Sequence, residues 1–305
     1  MTARRGTAVA IALFLTALAT AGCGFGPGNG VGGVELTVTR DYGTVPMLRR
    51  ELGDVTESDT VMRALERNAE IGTRYGGGFV QSIDGLEAHE SVESSQDWFF
   101  YVDGVESPIG AADYSLRGGE SVWWDYRDWS AAMRVPAVVG SWPQPFLDGY
   151  EGRRRPVAVE CLGDGAACAT VRERLQGAGA KVASGSPDGA IRVLVGPWAR
   201  VRQDPAAAQI ESGPQASGVF AEFRSAPGGY SLEGLGEDGK PARPFGAGAG
   251  LVAATRRFEA PPAWVITGSS PAGVTAAARL LDTADLRDHY AVAVEGGEET
   301  PLPVR

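Results

Sequence analysis

Lysine is nearly absent from this chain. Only Lys181 and Lys240 are lysines; arginine supplies the rest of the 28 basic residues. Against 38 acidic residues they leave a formal net charge of −10. That balance argues against a nucleic-acid partner, which requires a clustered basic surface. Histidine is equally scarce, with only His89 and His289. Neither lies in a nucleophile or metalloprotease motif, and no G-x-S-x-G occurs. The chain is therefore expected to be no enzyme, with no catalytic residue and no catalytic cofactor. Three cysteines and two histidines are also too few and too scattered for a zinc site. Long apolar runs are missing as well. The longest, "TAVAIALFLTALAT" at residues 7–20, is short for a membrane span.

That run nevertheless has a meaning. A basic start, "MTARRG", precedes it and "TAGC" follows, ending on Cys23. The order is that of an export signal, and the small residues before the cysteine resemble a bacterial lipobox, with Thr20 where an aliphatic residue is usual. The expectation is a lipoprotein signal peptide over 1–22, lipidation at Cys23 and a flexible Gly-rich tether over 23–33. The protein would then be lipid-anchored on the extracytoplasmic face of the bacterial cell membrane. An ordinary secretory signal is the other reading. Arg4-Arg5 lacks the rest of a twin-arginine motif. In an oxidising compartment Cys161 and Cys168, close in sequence, are expected to form a local disulfide.

What the chain has in excess is aromatic surface. The stretch "DWFFYVDGVESPIGAADYSLRGGESVWWDYRDW", Asp97 to Trp129, holds four of the seven tryptophans. Around it a first domain can be read over 34–130. "VELTVTRDYG" alternates as a strand. "VTESDTVMRALERN" reads as a helix, with Thr56 and Asp59 at capping-box spacing. "GGGFVQSIDG" is a strand ending on an Asp84-Gly85 turn. "WFFYVDGVES" reads as a hairpin about Asp103-Gly104, and "SVWWDYRDW" closes the unit. A strand, a helix and several further strands suit a β-grasp sheet wrapped on one helix. Alternation sends Trp98, Phe100 and Val102 to one face and Phe99 and Tyr101 to the other; Trp124 shares a face with Val122 and Tyr126. Either both faces are buried, or one set of rings is open to a flat ligand. The candidate ligand-binding residues are Trp98, Tyr114, Trp124, Tyr126 and Trp129.

Four features in order resemble the transcobalamin-like C-terminal domain family: "TVMRALERN", "WFFYVDG", "GAADY" and "ESVWWDY", over about residues 33–130. Asp103 stands where that family usually has Asn in the hairpin turn. The resemblance implies a β-grasp fold, a small ligand of which cobalamin or a related corrinoid is one possibility, and work beside a membrane vitamin importer. The large helical partner domain of the vertebrate cobalamin carriers has no counterpart in this chain. The alternative is a non-catalytic interaction module that docks a membrane transporter or surface complex.

Residues 131–155, with Pro, Gly and the run Arg153 to Arg155, read as a solvated linker. From 156 to 305 strands alternate with helices, which implies an α/β domain with a mixed sheet. "PVAVEC", "IRVLVGPW", "AWVITG" and "HYAVAV" read as strands, "GVFAEF" and "YSLEGL" as an antiparallel pair. "ACATVRERLQGAG", "DPAAAQI", "AGLVAATRRF" and "SPAGVTAAARLL" read as helices, the last capped by Ser270. "FGAGAGL" lacks the spacing of a nucleotide loop and is expected to be a close-packed or flexible helix start.

Overall fold

The computed structural model describes residues 29–91, 95–163 and 165–305. The expected signal peptide and Cys23 lie outside them. The fold is α+β in the first half and α/β with a mixed sheet in the second, as expected.

The first half opens on a hairpin of β1 (Val34–Arg40) and β2 (Val45–Leu52). Helix α1 (Val61–Glu66) follows, then a small sheet of β3 (Ile71–Arg74), β4 (Phe79–Ile83) and β5 (Leu86–Glu87). Strands β6 (His89–Glu90), β7 (Ser95–Val102), β8 (Val105–Glu106) and β9 (Ser121–Asp128) complete it. The main sheet runs β2-β1-β9-β7-β6, with β8 paired to β7. Its central pair, β1 and β9, is parallel, which is the arrangement a β-grasp needs. Strand β2 escapes sequence reading because Arg49, Arg50 and Glu51 mask its alternation on an exposed sheet edge. Both Asp-Gly turns form as expected, with positive φ at Asp84, Gly85, Asp103 and Gly104, as the tight primed turns require. The expected capping box is not the helix cap, which lies four residues after Thr56. Asp59 accepts from Thr56 N (2.8 Å), but the helix cap itself is Thr60, which accepts from Arg63 N.

The second half begins with β10 (Val157–Cys161), α2 (Gly165–Gly177), β11 (Ile191–Pro197) and α3 (Trp198–Val201). After α4 (Pro214–Ser217) come β12 (Ala221–Ala226), β13 (Gly229–Leu235) and β14 (Pro241–Pro244), a separate antiparallel sheet. Then follow β15 (Gly250–Thr255), β16 (Ala263–Gly268), α5 (Pro271–Arg279), α6 (Thr283–Leu286), β17 (Ala291–Glu295) and β18 (Glu298–Leu302). The large sheet runs β10-β11-β16-β15-β17-β18. Its first three strands are parallel and the rest antiparallel.

Two expectations fail here for physical reasons. "AGLVAATRRF" is strand β15, not a helix. All six residues of β15 are buried between β16 and β17, and a short run that is apolar on every side carries no period to separate strand from helix. The glycines of "FGAGAGL" therefore precede a strand, and Gly250 serves close approach: a Cβ there would lie 2.2 Å from the carbonyl oxygen of Gly273, whereas one on Gly248 would meet nothing. Residues 131–155 are also no solvated linker. Val135, Val138, Val139, Trp142, Phe146 and Tyr150 are buried, and Trp142 and Phe146 pack on Trp264 of β16, ring centroids 5.8 and 4.9 Å apart. Only Arg153 and Arg154 of the arginine run are exposed. "DPAAAQI" is a 3-10 turn at Ala207–Ser212. Cys161 and Cys168 are joined by a disulfide that closes the turn from β10 into α2.

Candidate functional site

Alternation along β7 and β9 sorts the aromatic stretch into two buried layers. Trp98, Val102, Val122, Trp124 and Tyr126 form one core with α1, through Val61, Met62, Ala64 and Leu65. Tyr101 and Trp123 face the second half and meet Tyr290, in a core that also holds Phe220 and has Phe99 packed against it. The candidate rings are thus not an open platform: Trp98, Tyr114, Trp124 and Tyr126 are each at most 5 % exposed. Trp129 is half-buried. One face is covered by the helix and the other by the second half, so neither is left bare.

Burial does not make all these rings inaccessible. Trp98, Phe100 and Trp124 reach a cleft of about 220 Å³, closed on its other sides by Phe79 and Val80 of β4 and by residues 106–111. Phe100 and Trp124 stack, centroids 4.9 Å apart and planes 29° from parallel. Most polar atoms of the rings are satisfied. Trp98 Nε1 donates to Leu86 O (3.0 Å) and Tyr126 Oη to Glu87 O (2.7 Å). Trp123 Nε1 donates to Thr39 Oγ1 and Tyr114 Oη to Glu120 Oε1. Trp124 Nε1 is the exception: it is buried and finds no acceptor among the described residues. A buried N–H without a partner forgoes on the order of 1–3 kcal/mol, and native proteins keep few of them.

Two carboxylates border the cleft. Among the described residues Asp97 forms no ion pair; its Oδ1 accepts from Trp98 N (2.7 Å), and burial raises its pKa. Glu106 is raised by burial too, opposed by Arg134, whose Nε lies 3.2 Å away. No basic side chain lines this cleft.

Two further clefts adjoin it, and a third adjoins one of those. One of about 440 Å³ shares Phe79 and Asp97 with it and is lined by Trp129, Tyr75 and His89. A second, of about 320 Å³, shares Glu106 and lies between the halves, beside Arg134, Arg256 and Phe258. A third, of about 250 Å³, shares Pro108 with the second and is lined by Tyr114, Ile109 and Arg117. Of the candidates, then, Trp98 and Trp124 come together, Trp129 and Tyr114 serve neighbouring clefts, and Tyr126 lines none of the four. Of the five exposed large apolar side chains among the described residues, Tyr75, Phe79, Ile109 and Phe258 border these clefts and Met133 does not. Apolar exposure gathered in this way marks an interaction face.

Sequence reading missed a second cluster, at the contact between the halves. Asp125 is wholly buried and accepts from Thr39 Oγ1 (2.5 Å), Gly43 N (3.0 Å) and Tyr290 Oη (3.0 Å). Tyr101 Oη donates in turn to Tyr290. Burial pushes the Asp125 carboxyl up to about 6. Arg127, buried beside it, stacks 3.8 Å over Phe99 and donates to the carbonyls of Ala132 (2.7 Å) and Met133 (3.1 Å). The available signal was two charged residues placed on the Trp123 face of a strand otherwise apolar.

Residues 58–128 match a family described as Domain of unknown function (DUF4430). That match falls inside the stretch carrying the aromatic cleft. Among solved structures, a "putative metal binding protein" from Ruminococcus gnavus is 14 % identical with a TM-score of 0.25, over 32 % of this chain and 97 % of that one. So slight a likeness carries neither fold nor function across. No curated protein matches the chain. Among the described residues, no three or more His, Cys, Asp or Glu side chains gather as a metal site would require.

Proposed function

We propose that this protein is a non-catalytic, lipid-anchored binding protein that holds a small ligand outside the bacterial cell membrane, in the cleft of Phe79, Trp98, Phe100 and Trp124. The observation that carries the reading is the cleft itself, lined by the rings of Phe79, Trp98, Phe100 and Trp124 with Asp97 and Glu106 beside them. A few directed polar groups in an apolar recess are what small-molecule sites are made of. The lipobox-like "TAGC" supports the anchor at Cys23, and the transcobalamin-like motifs support delivery to a vitamin importer.

Size limits the corrinoid form of the proposal. A volume of about 220 Å³ is below the range of sites that enclose drug-sized ligands. The aromatic cleft seats one small ring system, and a corrinoid would extend over the neighbouring clefts across Phe79 and Glu106. The exposed Tyr75 and Phe258 favour a second reading, in which the same face docks a membrane transporter. Equilibrium dialysis of the full chain against cobalamin and cobinamide separates the two. Saturable binding weakened by Trp124→Phe supports ligand capture. Absence of binding to any corrinoid at millimolar concentration removes that ligand class.

A further inference from the structure

Arginines that ligand binding does not use gather at the end of the molecule where the described residues begin. Residues 31–33 run against Gly118 and Gly119. Gly119 N donates to Gly33 O (2.7 Å), and a Cβ on Gly118 would lie 1.8 Å from Val31 O. On its other side Gly119 meets residues 144–154, where Gln144 Nε2 donates both to Gly119 O (3.0 Å) and to Asp148 Oδ2 (3.1 Å). Glu151 and Gly152, both at positive φ, then form a tight turn closed by hydrogen bonds between Tyr150 and Arg153. The chain leaves that turn with Arg153 and Arg154 exposed to solvent. Arg117 joins them from the first half: its guanidinium lies over Gly152, where a Cβ would meet Nη1 at 1.8 Å.

Three exposed arginines thus share one end of a chain whose net charge is −10. Arg154 pairs with Asp148 (2.7 Å) yet is 79 % exposed, Arg117 lies 3.8 Å from Glu120, and Arg153 is in no ion pair among the described residues. Acidic side chains stand nearby as well: Glu57 accepts from Asn29 Nδ2 (3.3 Å), and Glu151 is held by Arg256 (2.7 Å). We propose that Arg117, Arg153 and Arg154 dock on anionic phospholipid headgroups of the membrane that holds the chain. The proposal rests on the lipid anchor at Cys23 proposed above. Asn29 is six residues beyond Cys23, and six residues reach at most about 20 Å, so the anchor keeps this end beside the bilayer. A basic patch is the second signal that makes acyl anchoring firm, each basic residue near an anionic surface strengthening association about fivefold. The guanidinium fork also fits a phosphate group. An acidic protein could meet the same charges, but nothing in the chain brings one to this end, whereas the anchor brings the bilayer. The cleft of about 250 Å³ that Arg117 lines would then open close to the membrane.

The test uses the full chain, isolated from bacterial membranes and reconstituted into vesicles of phosphatidylcholine alone or mixed equally with phosphatidylglycerol. Phenylglyoxal modifies accessible guanidinium groups, and peptide mass spectrometry reads each site together with the acyl group on Cys23. Arg117, Arg153 and Arg154 are expected to react about fivefold more slowly in the anionic vesicles. Arg200, exposed on the second half, should react alike in both. Salt at about 0.5 M should remove the difference, because it screens exposed charges. The double variant Arg153→Gln, Arg154→Gln should bring Arg117 back to the rate seen in phosphatidylcholine. Acylated protein whose three arginines react alike in both vesicles overturns membrane docking, leaves the anchor standing and returns the face to an acidic partner. Protein without an acyl group at Cys23 overturns the anchor, and the docking falls with it.

Discussion

The carboxyl of Asp125 makes a testable claim about how the two halves are held together. It is wholly enclosed, and its pKa is pushed from 3.8 to about 6 because burial penalises the charge more than Thr39, Gly43, Tyr290 and Arg127 compensate it. In the unfolded chain the group ionises near its ordinary value. Between about pH 4 and 6 the folded state therefore holds a proton that the unfolded state has lost, and stability falls as pH rises. The contribution is complete below about pH 4 and gone once pH passes through the folded value. A shift of about two units corresponds to about 3 kcal/mol. Other buried carboxyls with raised values, Asp103 and Glu120 among them, slope the same way, so the wild-type curve alone does not isolate Asp125. The comparison with Asp125→Asn does. The amide places a donor among donors and costs a fixed amount at every pH, and that offset drops out of the slope. Urea unfolding of both proteins at pH 4, 5, 6 and 7.5 should show the wild type losing about 3 kcal/mol more than the variant across the range. Parallel profiles would refute the reasoning and mean that Asp125 is ionised at little cost, through water or a rearranged Arg127.

Two further outcomes follow from the packing. Trp142→Ala should cost about 3–5 kcal/mol in chemical denaturation, because the ring is part of the core against Trp264; a loss below 1 kcal/mol, the order expected for surface positions, would return residues 131–155 to the status of linker. Gly273→Ala should lower stability by about 3 kcal/mol, since its Cβ would meet the Ala249 carbonyl at 1.9 Å. Gly177→Ala, where a Cβ meets nothing, is the control and should be neutral or slightly stabilising.

How much of this was legible in the sequence depends on the range of the forces involved. The two-residue period grouped Trp98 with Phe100 and Val102 on β7, and Trp124 with Val122 and Tyr126 on β9, because side-chain direction in a strand is local; that both groups share one face comes from the register of the two strands. The Asp-Gly turns were legible for the same reason. What covers each face was not. Trp123 is capped by Tyr290, 167 positions further along the chain, and nothing near Trp123 announces it. The linker reading failed because Pro143, Pro145 and Gly149 signal turns whether or not the chain between them is buried, and Trp142 and Phe146 were the residues to weigh instead. For the site, the ring residues were legible as a group, but which of them would keep an unpaired donor depends on tertiary contacts. Leu86 and Glu87 satisfy Trp98 and Tyr126, and no equivalent carbonyl reaches Trp124.

The central claim is that the recess between β4, β7 and residues 106–111 is a ligand site. Crystals of the protein soaked with a library of ring-sized fragments test it most directly. The account predicts fragment density against Phe79, Phe100 and Trp124. Fragments that collect elsewhere on the surface, with this recess empty throughout, would contradict it.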